Sequence, residues 1–146
     1  MAELECFVDF SLACARFLPA LPDDHPCRRV HGHTFDVRVV LRGGLDPARH
    51  WVVDFADVER IWRQRVHEVL DHRLLNDLPG LEHPTSERLV LWLRDALQPV
   101  LPALARLEVR ESGRYGVALD VALDVALDVA LDVALDVALD VAPPAR

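Results

Sequence analysis

From Val117 to Ala142 the chain reads Val-Ala-Leu-Asp six times and then Val-Ala, 26 residues of which 20 are apolar and six are aspartate. The stretch holds no Gly or Pro at which the chain can turn. As a strand, Val and Leu share one face and Ala and Asp the other, a strict period of two. One strand of that length would run ~86 Å, far beyond normal strands. As a helix it would run ~39 Å. Ala and Leu favour that state, while Asp residues four apart repel modestly. Each four-residue step precesses about 40°, so the apolar surface winds all the way round and a lone helix would need partners. The reading that meets both limits has the first copy or two supplying a strand and the rest forming a helix or an associating segment. A tandem duplication tolerated at a terminus is the alternative. The predicted organisation is a domain over 1–116, the repeat over 117–142 and a tail over 143–146.

The repeat also explains the averages. Of the formal charge of −8 on 146 residues, six units belong to its aspartates, which leaves the body at −2. Without the repeat the hydrophobic fraction falls from 51% to roughly 45%, ordinary for a soluble domain. A near-neutral body argues against a basic nucleic-acid-binding surface. No apolar run reaches the ~18 residues of a membrane span. The acidic start Met-Ala-Glu-Leu-Glu has no signal-peptide pattern. Three cysteines, Cys6, Cys14 and Cys27, read as reduced thiols in a cytoplasmic protein.

Along the body, Cys6, Val8, Phe10, Leu12 and Cys14 alternate with polar or small residues, the pattern of a half-buried strand. The Pro- and charge-rich stretch from Phe17 to Arg29 reads as loop. Alternation resumes with Phe35, Val37, Val39 and Leu41 against Asp36, Arg38 and Arg42. Asp54 is placed to cap a helix whose apolar side is Val58, Ile61, Trp62, Val66, Val69 and Leu70. Thr85 or Ser86 is placed to cap a second, with Leu89, Trp92, Leu93, Ala96 and Leu97 on its apolar face. Leu107 and Val109 mark a third strand, and a turn at Ser112-Gly113 leads to a fourth beginning near Tyr115. The order ββααββ predicts an α+β fold, an antiparallel sheet with two helices on one face.

Several residues carry chemistry. His31 and His33 flank Gly32 on a strand, so both imidazoles point to one face, a recurrent half of a zinc site. Paired strand histidines are more often surface or packing residues. Cys27 lies beside Arg28 and Arg29, whose charge would favour the thiolate; a spectator thiol is the alternative. Asp71-His72 ends the first helix as a carboxylate able to orient an imidazole for acid–base work, or as a helix-end His satisfied by the dipole. Glu111, at the end of the third strand, could accept two N–H bonds from a guanidine-like heterocycle, or be simply solvated.

Taken together and in order, these stretches resemble the 6-pyruvoyl-tetrahydropterin synthase family, and within it the bacterial 6-carboxytetrahydropterin synthase branch. The likeness rests on Asp9-Phe10-Ser11, Leu18-Pro19, His25-Pro26-Cys27-Arg28-Arg29-Val30-His31-Gly32-His33, Val53-Asp54-Phe55, Leu70-Asp71-His72, Leu75-Asn76-Asp77, Pro84-Thr85-Ser86-Glu87 and Arg110-Glu111. It implies a tunnelling fold in which three subunits close a twelve-stranded barrel and two trimers stack as a hexamer, with sites between subunits. It implies that Cys27 is the catalytic thiol, Asp71 and His72 the partner acid–base pair, and Glu111 the holder of the pterin ring. His31 and His33 would be two of three zinc ligands, the metal polarising side-chain hydroxyl and carbonyl oxygens of the substrate. The implied reaction converts dihydroneopterin triphosphate to a 6-substituted tetrahydropterin on the way to queuosine and other deazapurines.

One position departs from this pattern. In Ala13-Cys14-Ala15-Arg16-Phe17-Leu18-Pro19, Arg16 stands where the family has its third zinc-ligating His, and a guanidinium cannot coordinate a metal. Cys14, two residues back on the same face, or His25 from the loop are the candidate replacements. Two functions follow. One is the synthase, working on a pterin. The other is a paralogue that has lost the reaction and serves an assembly or regulatory role set by its C-terminal repeat.

Overall fold

The computed structural model describes residues 2–140. Two long strands, β1 (Leu4–Arg16) and β2 (His31–Gly43), pair antiparallel over their whole length, from Leu4 opposite Gly43 to Arg16 opposite His31. Helix α1 (Phe55–Trp62) starts at Asp54, whose carboxylate accepts the Ala56 N–H at 2.9 Å. It runs into a π-helical turn at Arg63–His67 and a last short turn, α2 (Glu68–Leu70). Helix α3 (Ser86–Leu97) is capped by Thr85, whose hydroxyl accepts the Arg88 N–H. Strands β3 (Leu104–Arg110) and β4 (Gly116–Asp120) complete one antiparallel sheet in the order β1-β2-β3-β4.

Period-two patterning decides which face is covered. Leu12, Phe35, Val37, Val39, Leu41, Leu107 and Val109 are fully buried against Val58, Trp62, Val66 and Leu70 of the first helical stretch and Leu89, Leu93 and Leu97 of α3. Phe10 stacks on Trp62 with ring centroids 4.2 Å apart. The opposite face carries cross-strand ion pairs, Glu5 with Arg42 and Asp9 with Arg38. The α+β sheet with its helices on one side is as the alternation predicts.

Three local features depart from the simple pattern. The first strand reaches Arg16, two residues past the predicted Cys14, so Arg16 is a sheet residue facing the helices. Val69, predicted on the apolar face, is exposed, because the π turn adds residues per turn and rotates everything after it. In α3, Val90 is buried while Trp92 and Ala96 are half-buried.

The first repeat copy lies in β4, with Val117 opposite Val109 and Leu119 opposite Leu107. From Val121 the chain turns into α4 (Val121–Asp140). The Asp120 carboxylate accepts the Leu123 N–H at 3.0 Å, Val121 is buried, and Asp124 pairs with Arg94 of α3. No helix among the described residues is long and apolar enough to cross a membrane.

Candidate active site

The strong β1–β2 pairing sets Cys14 opposite His33 and Arg16 opposite His31, so all four side chains rise from the helix-facing side of the sheet. The His31 and His33 rings meet edge-on at 4.8 Å, and His33 lies 5.3 Å from the Phe35 ring. Arg16 is only 3% exposed, and its guanidinium carbon sits 5.2 Å from the centre of that same Phe35 ring. One Nη of Arg16 donates to the Pro84 carbonyl at 3.0 Å and the other to Glu111 Oε1 at 2.8 Å. The Ser86 hydroxyl donates to the same carboxylate oxygen. The end of β1, the start of β2, the start of α3 and the residue after β3 therefore converge on one cluster.

Burial pushes the Glu111 carboxyl up, but the bonds from Ser86 and Arg16 and the charges of Arg16 and His33 outweigh it and hold it below the usual range. For His33, burial and then the Arg16 charge lower the imidazole against the pull of Glu111. His31 Nδ1 lies 2.7 Å from the Arg29 carbonyl. A carbonyl only accepts, so Nδ1 carries a proton toward it. His31 Nε2 and the Arg16 Nε–H are both buried without a hydrogen-bond partner.

A second cluster lies on the outer edge of β1. The Ala13 N–H donates to Asp71 Oδ1 at 2.9 Å, and the His72 N–H donates to the Ala13 carbonyl at 2.6 Å. The Ala15 N–H donates to the Arg73 carbonyl at 2.9 Å. Residues 71–74 thus follow the strand edge. His72 Nδ1 donates to Asp71 Oδ2 at 2.5 Å, and His67 Nε2 lies 3.4 Å from the same oxygen. Burial raises the Asp71 carboxyl, but the Ala13 N–H and the two imidazoles bring it below its ordinary value. His72 adopts a positive φ of 56° and leaves its side chain 81% exposed. Such a strained residue persists only where its surroundings over-determine it. The imidazole borders a cleft of about 490 Å³ shared with Ala15, Gly32, His33, Thr34 and Leu74.

Cys27 lies half-buried in a short 3₁₀ turn, Pro26–Arg28. Its N–H donates to His25 Nδ1 and its carbonyl accepts the Leu18 N–H. The Arg28 guanidinium, predicted to favour a Cys27 thiolate, is engaged with the Pro19 and Leu21 carbonyls and with Asp23. Within one chain the structure joins Arg16, His31, His33 and Glu111 in one cluster and Asp71 with His72 in another. Among the described residues no hydrogen bond links Cys27 to either cluster. Sequence reasoning missed three contributors. Ser86, quoted within Pro84-Thr85-Ser86-Glu87 and as a possible helix cap, was given no role beside Glu111. His67 is an imidazole one helical turn before Asp71. Asn76 clamps the chain leaving β1 through both its amide atoms, on Phe17 N and O.

The donor set does not fit a zinc ion. Two imidazoles face a fixed cation, and that cation is bonded to the nearest carboxylate. Cys14 does not replace the missing ligand: burial, then the Asp71 charge, push its thiol up to about 11, and its Sγ–H donates to the Leu70 carbonyl at 3.3 Å. His25 caps the Cys27 turn instead.

Residues 5–120 match the family profile described as 6-pyruvoyl tetrahydropterin synthase. A dihydroneopterin monophosphate aldolase of Pyrococcus furiosus is 35% identical over 94 residues, covering 62% of this chain and 78% of the relative. A 6-carboxy-5,6,7,8-tetrahydropterin synthase of Synechocystis sp. is 34% identical over 111 residues, covering 73% and 84%. The solved 6-pyruvoyl tetrahydropterin synthase of Caenorhabditis elegans superposes with a TM-score of 0.75 at 24% identity, covering 82% of this chain and 96% of that one.

Proposed function

The chain belongs to the 6-pyruvoyl tetrahydropterin synthase family, and from that premise we propose that it is a pterin side-chain lyase of the 6-carboxytetrahydropterin synthase type. Its substrate is dihydroneopterin triphosphate, and its place is in queuosine and deazapurine biosynthesis. The observation that carries this reading is the Asp71–His72 pair, a 2.5 Å contact held on β1 by Ala13 with the imidazole presented to a cleft.

In this reading His72 exchanges a proton with a side-chain hydroxyl of the substrate. Asp71 keeps the Nδ1–H in place and stabilises the imidazolium when it forms. Cys27 removes the proton from the substrate side chain. Glu111 receives the pterin ring: both of its bonds to Arg16 and Ser86 fall on Oε1, which leaves Oε2 for a ring N–H. The site works without zinc, because Arg16 supplies a fixed positive charge where a metal ligand would stand. Cys27 and His72 are brought together between subunits, in trimers that close a twelve-stranded barrel and stack as hexamers. The edge positions of β1 and β4 in the sheet support that assembly.

The test is turnover of dihydroneopterin triphosphate by the full chain, with chelator and with added zinc, beside Cys27→Ala and His72→Gln. Product in chelator that both substitutions abolish supports the reading. No product under any metal condition sinks it.

The Arg16–Glu111 bond favours a second reading, a paralogue that has lost the reaction. Its role would then be assembly or regulation set by the repeat. Chains with zero, three and six copies separate the two: equal solution mass, stability and cellular effect would remove this reading.

A further inference from the structure

We infer that Asn76 is the positioning residue for Cys27, fastening the loop that carries the thiol to the rest of the domain. The inference rests on the reading of Cys27 as the base that deprotonates the substrate side chain, and adds the residue that sets its place. Residues 71–76 run along the outer edge of β1 and hold every second residue of the chain there. Asp71 and His72 hold Ala13, Arg73 holds Ala15, and Asn76 holds Phe17. By the third of these the main chain has coiled into a 3₁₀ turn, Leu75–Asp77, in which the Leu74 and Leu75 carbonyls accept from Asp77 and Leu78. The Asn76 side chain takes over the strand contact. Its amide accepts the Phe17 N–H at 2.9 Å and donates to the Phe17 carbonyl at 2.8 Å. A carboxamide carries an acceptor and a donor side by side, as a peptide group does. A further bond from Nδ2 to the Glu82 carbonyl at 3.3 Å fixes which way the amide points.

One more bond carries this hold to the thiol residue. The Leu18 N–H donates to the Cys27 carbonyl at 2.8 Å. The Arg28 guanidinium donates to the Pro19 and Leu21 carbonyls, so residues 17–21 and 26–28 are tied into one unit. Among the described residues, every other hydrogen bond made by residues 17–30 stays within 17–31, and only those to Asn76 reach an element beyond β1 and β2. At its ends the loop joins the sheet at Arg16 and His31, the last β1–β2 pair. A loop held at its ends alone opens readily, and a displacement of about 1 Å in a reacting group can cost about 10²-fold in rate. Loss of the Asn76 amide should therefore shift Cys27. The Asp71–His72 pair, held separately on Ala13, should stay in place.

The test uses the full chain with Asn76→Ala, which removes the clamp, and Asn76→Asp, which keeps the acceptor for the Phe17 N–H and loses both donated bonds. Each is compared with the wild type by amide hydrogen exchange, by iodoacetamide alkylation of Cys27 read on its own peptide, and by turnover of dihydroneopterin triphosphate. In Asn76→Ala the Leu18 amide should exchange at least about tenfold faster, and the half-buried Cys27 thiol should alkylate at least about threefold faster. The Ala13 and Ala15 amides should keep their wild-type rates. Turnover should show kcat down by about 10- to 100-fold with KM within about twofold, the split expected when only the reacting group is misplaced. Asn76→Asp should fall between the two. Thermal melts establish folding, and if Asn76→Ala does not fold, Asn76→Asp carries the same readouts. Unchanged Leu18 exchange and Cys27 alkylation in a folded variant overturn the inference, and so does an unchanged kcat. Equal loosening at Ala13 and Ala15 overturns it too, since that is the mark of a general structural role. A wild-type chain without turnover overturns the pterin reading instead, and exchange and alkylation then decide whether Asn76 holds Cys27.

Discussion

The guanidinium of Arg16 lies 2.8 Å from the carboxylate of Glu111, joining residues 95 apart in sequence and closing the end of β1 onto the end of β3. Arg16 is almost wholly buried and Glu111 about one-third exposed, so the pair is more than a surface contact, though solvent still screens one partner. Breaking it from the arginine side strands a carboxylate among histidines. Arg16→Met should destabilise the chain by about 1–3 kcal/mol, below the range for fully buried pairs. Arg16→Met with Glu111→Gln should recover part of that loss, a coupling that urea unfolding of the four forms would measure. An unchanged midpoint in Arg16→Met would show that the pair contributes nothing to stability.

The same arginine is expected to govern metal content. Arg16→His places a third imidazole on the face that already bears His31 and His33 and removes the repelling charge. Three such ligands plus a water is the usual catalytic zinc set. Metal analysis after purification with zinc should show the variant approaching one ion per chain and the wild type far below it. Equal zinc in both proteins would mean that Arg16 does not control the site.

In the proposed reaction, substitution of His72 should separate catalysis from stability. Its positive φ costs a non-glycine residue of order 1 kcal/mol or more, and Asn tolerates that region better than His. His72→Asn should leave stability unchanged or raise it slightly, while turnover falls by about 10²-fold or more through loss of the acid–base imidazole. His67→Gln should be milder, since its ring touches Asp71 at 3.4 Å from an exposed position. A His72→Asn protein with full turnover would remove His72 from the chemistry.

The sheet was legible because each strand obeys period two, and burial on one face leaves that pattern little freedom. Asp54 and Thr85 were legible as caps because their side chains act on N–H groups two or three residues away. Arg16 was legible as a misfit in a metal set, but its partners were not, since Pro84, Ser86 and Glu111 reach it only through the fold. The π turn at Arg63–His67 was invisible for a related reason. Its sequence is ordinary helix former, and the extra residue shows only in the exposed Val69 and in the approach of His67 to Asp71. The positive φ of His72 arises from backbone bonds to β1, 59 residues away at Ala13, which no local pattern encodes.

Acid should undo the Arg16–Glu111 contact in a defined window. The Glu111 carboxyl is held below its ordinary value of 4.5 in the folded chain. A depressed carboxylate contributes stability that is present above the unfolded value and lost as pH falls through the folded one. The melting temperature of the wild type should therefore drop below about pH 4.5. Glu111→Gln, with no proton to take up there, should start lower and fall less steeply, so that the two curves converge. Parallel curves would show that Glu111 does not titrate across this transition.

Among the described residues, the repeat divides into a part packed on the domain and an exposed part. The copy ending at Asp120 pairs with β3 along β4, and the copy ending at Asp124 buries Val121 and reaches Arg94. Beyond it, residues 126–133 are exposed throughout. A chain stopped after Asp124 should therefore melt within about 3 °C of the full chain, the scale of a sub-kcal/mol change. One stopped after Gly116 loses a strand that covers Leu107 and Val109, both fully buried, and should melt at least about 10 °C lower or fail to fold. Solution mass measured on the same three chains tells whether the exposed copies associate. An equal mass for the full chain and the Asp124 stop would confine the repeat's structural role to its first two copies. A larger mass for the full chain would instead give the later leucines and valines a partner.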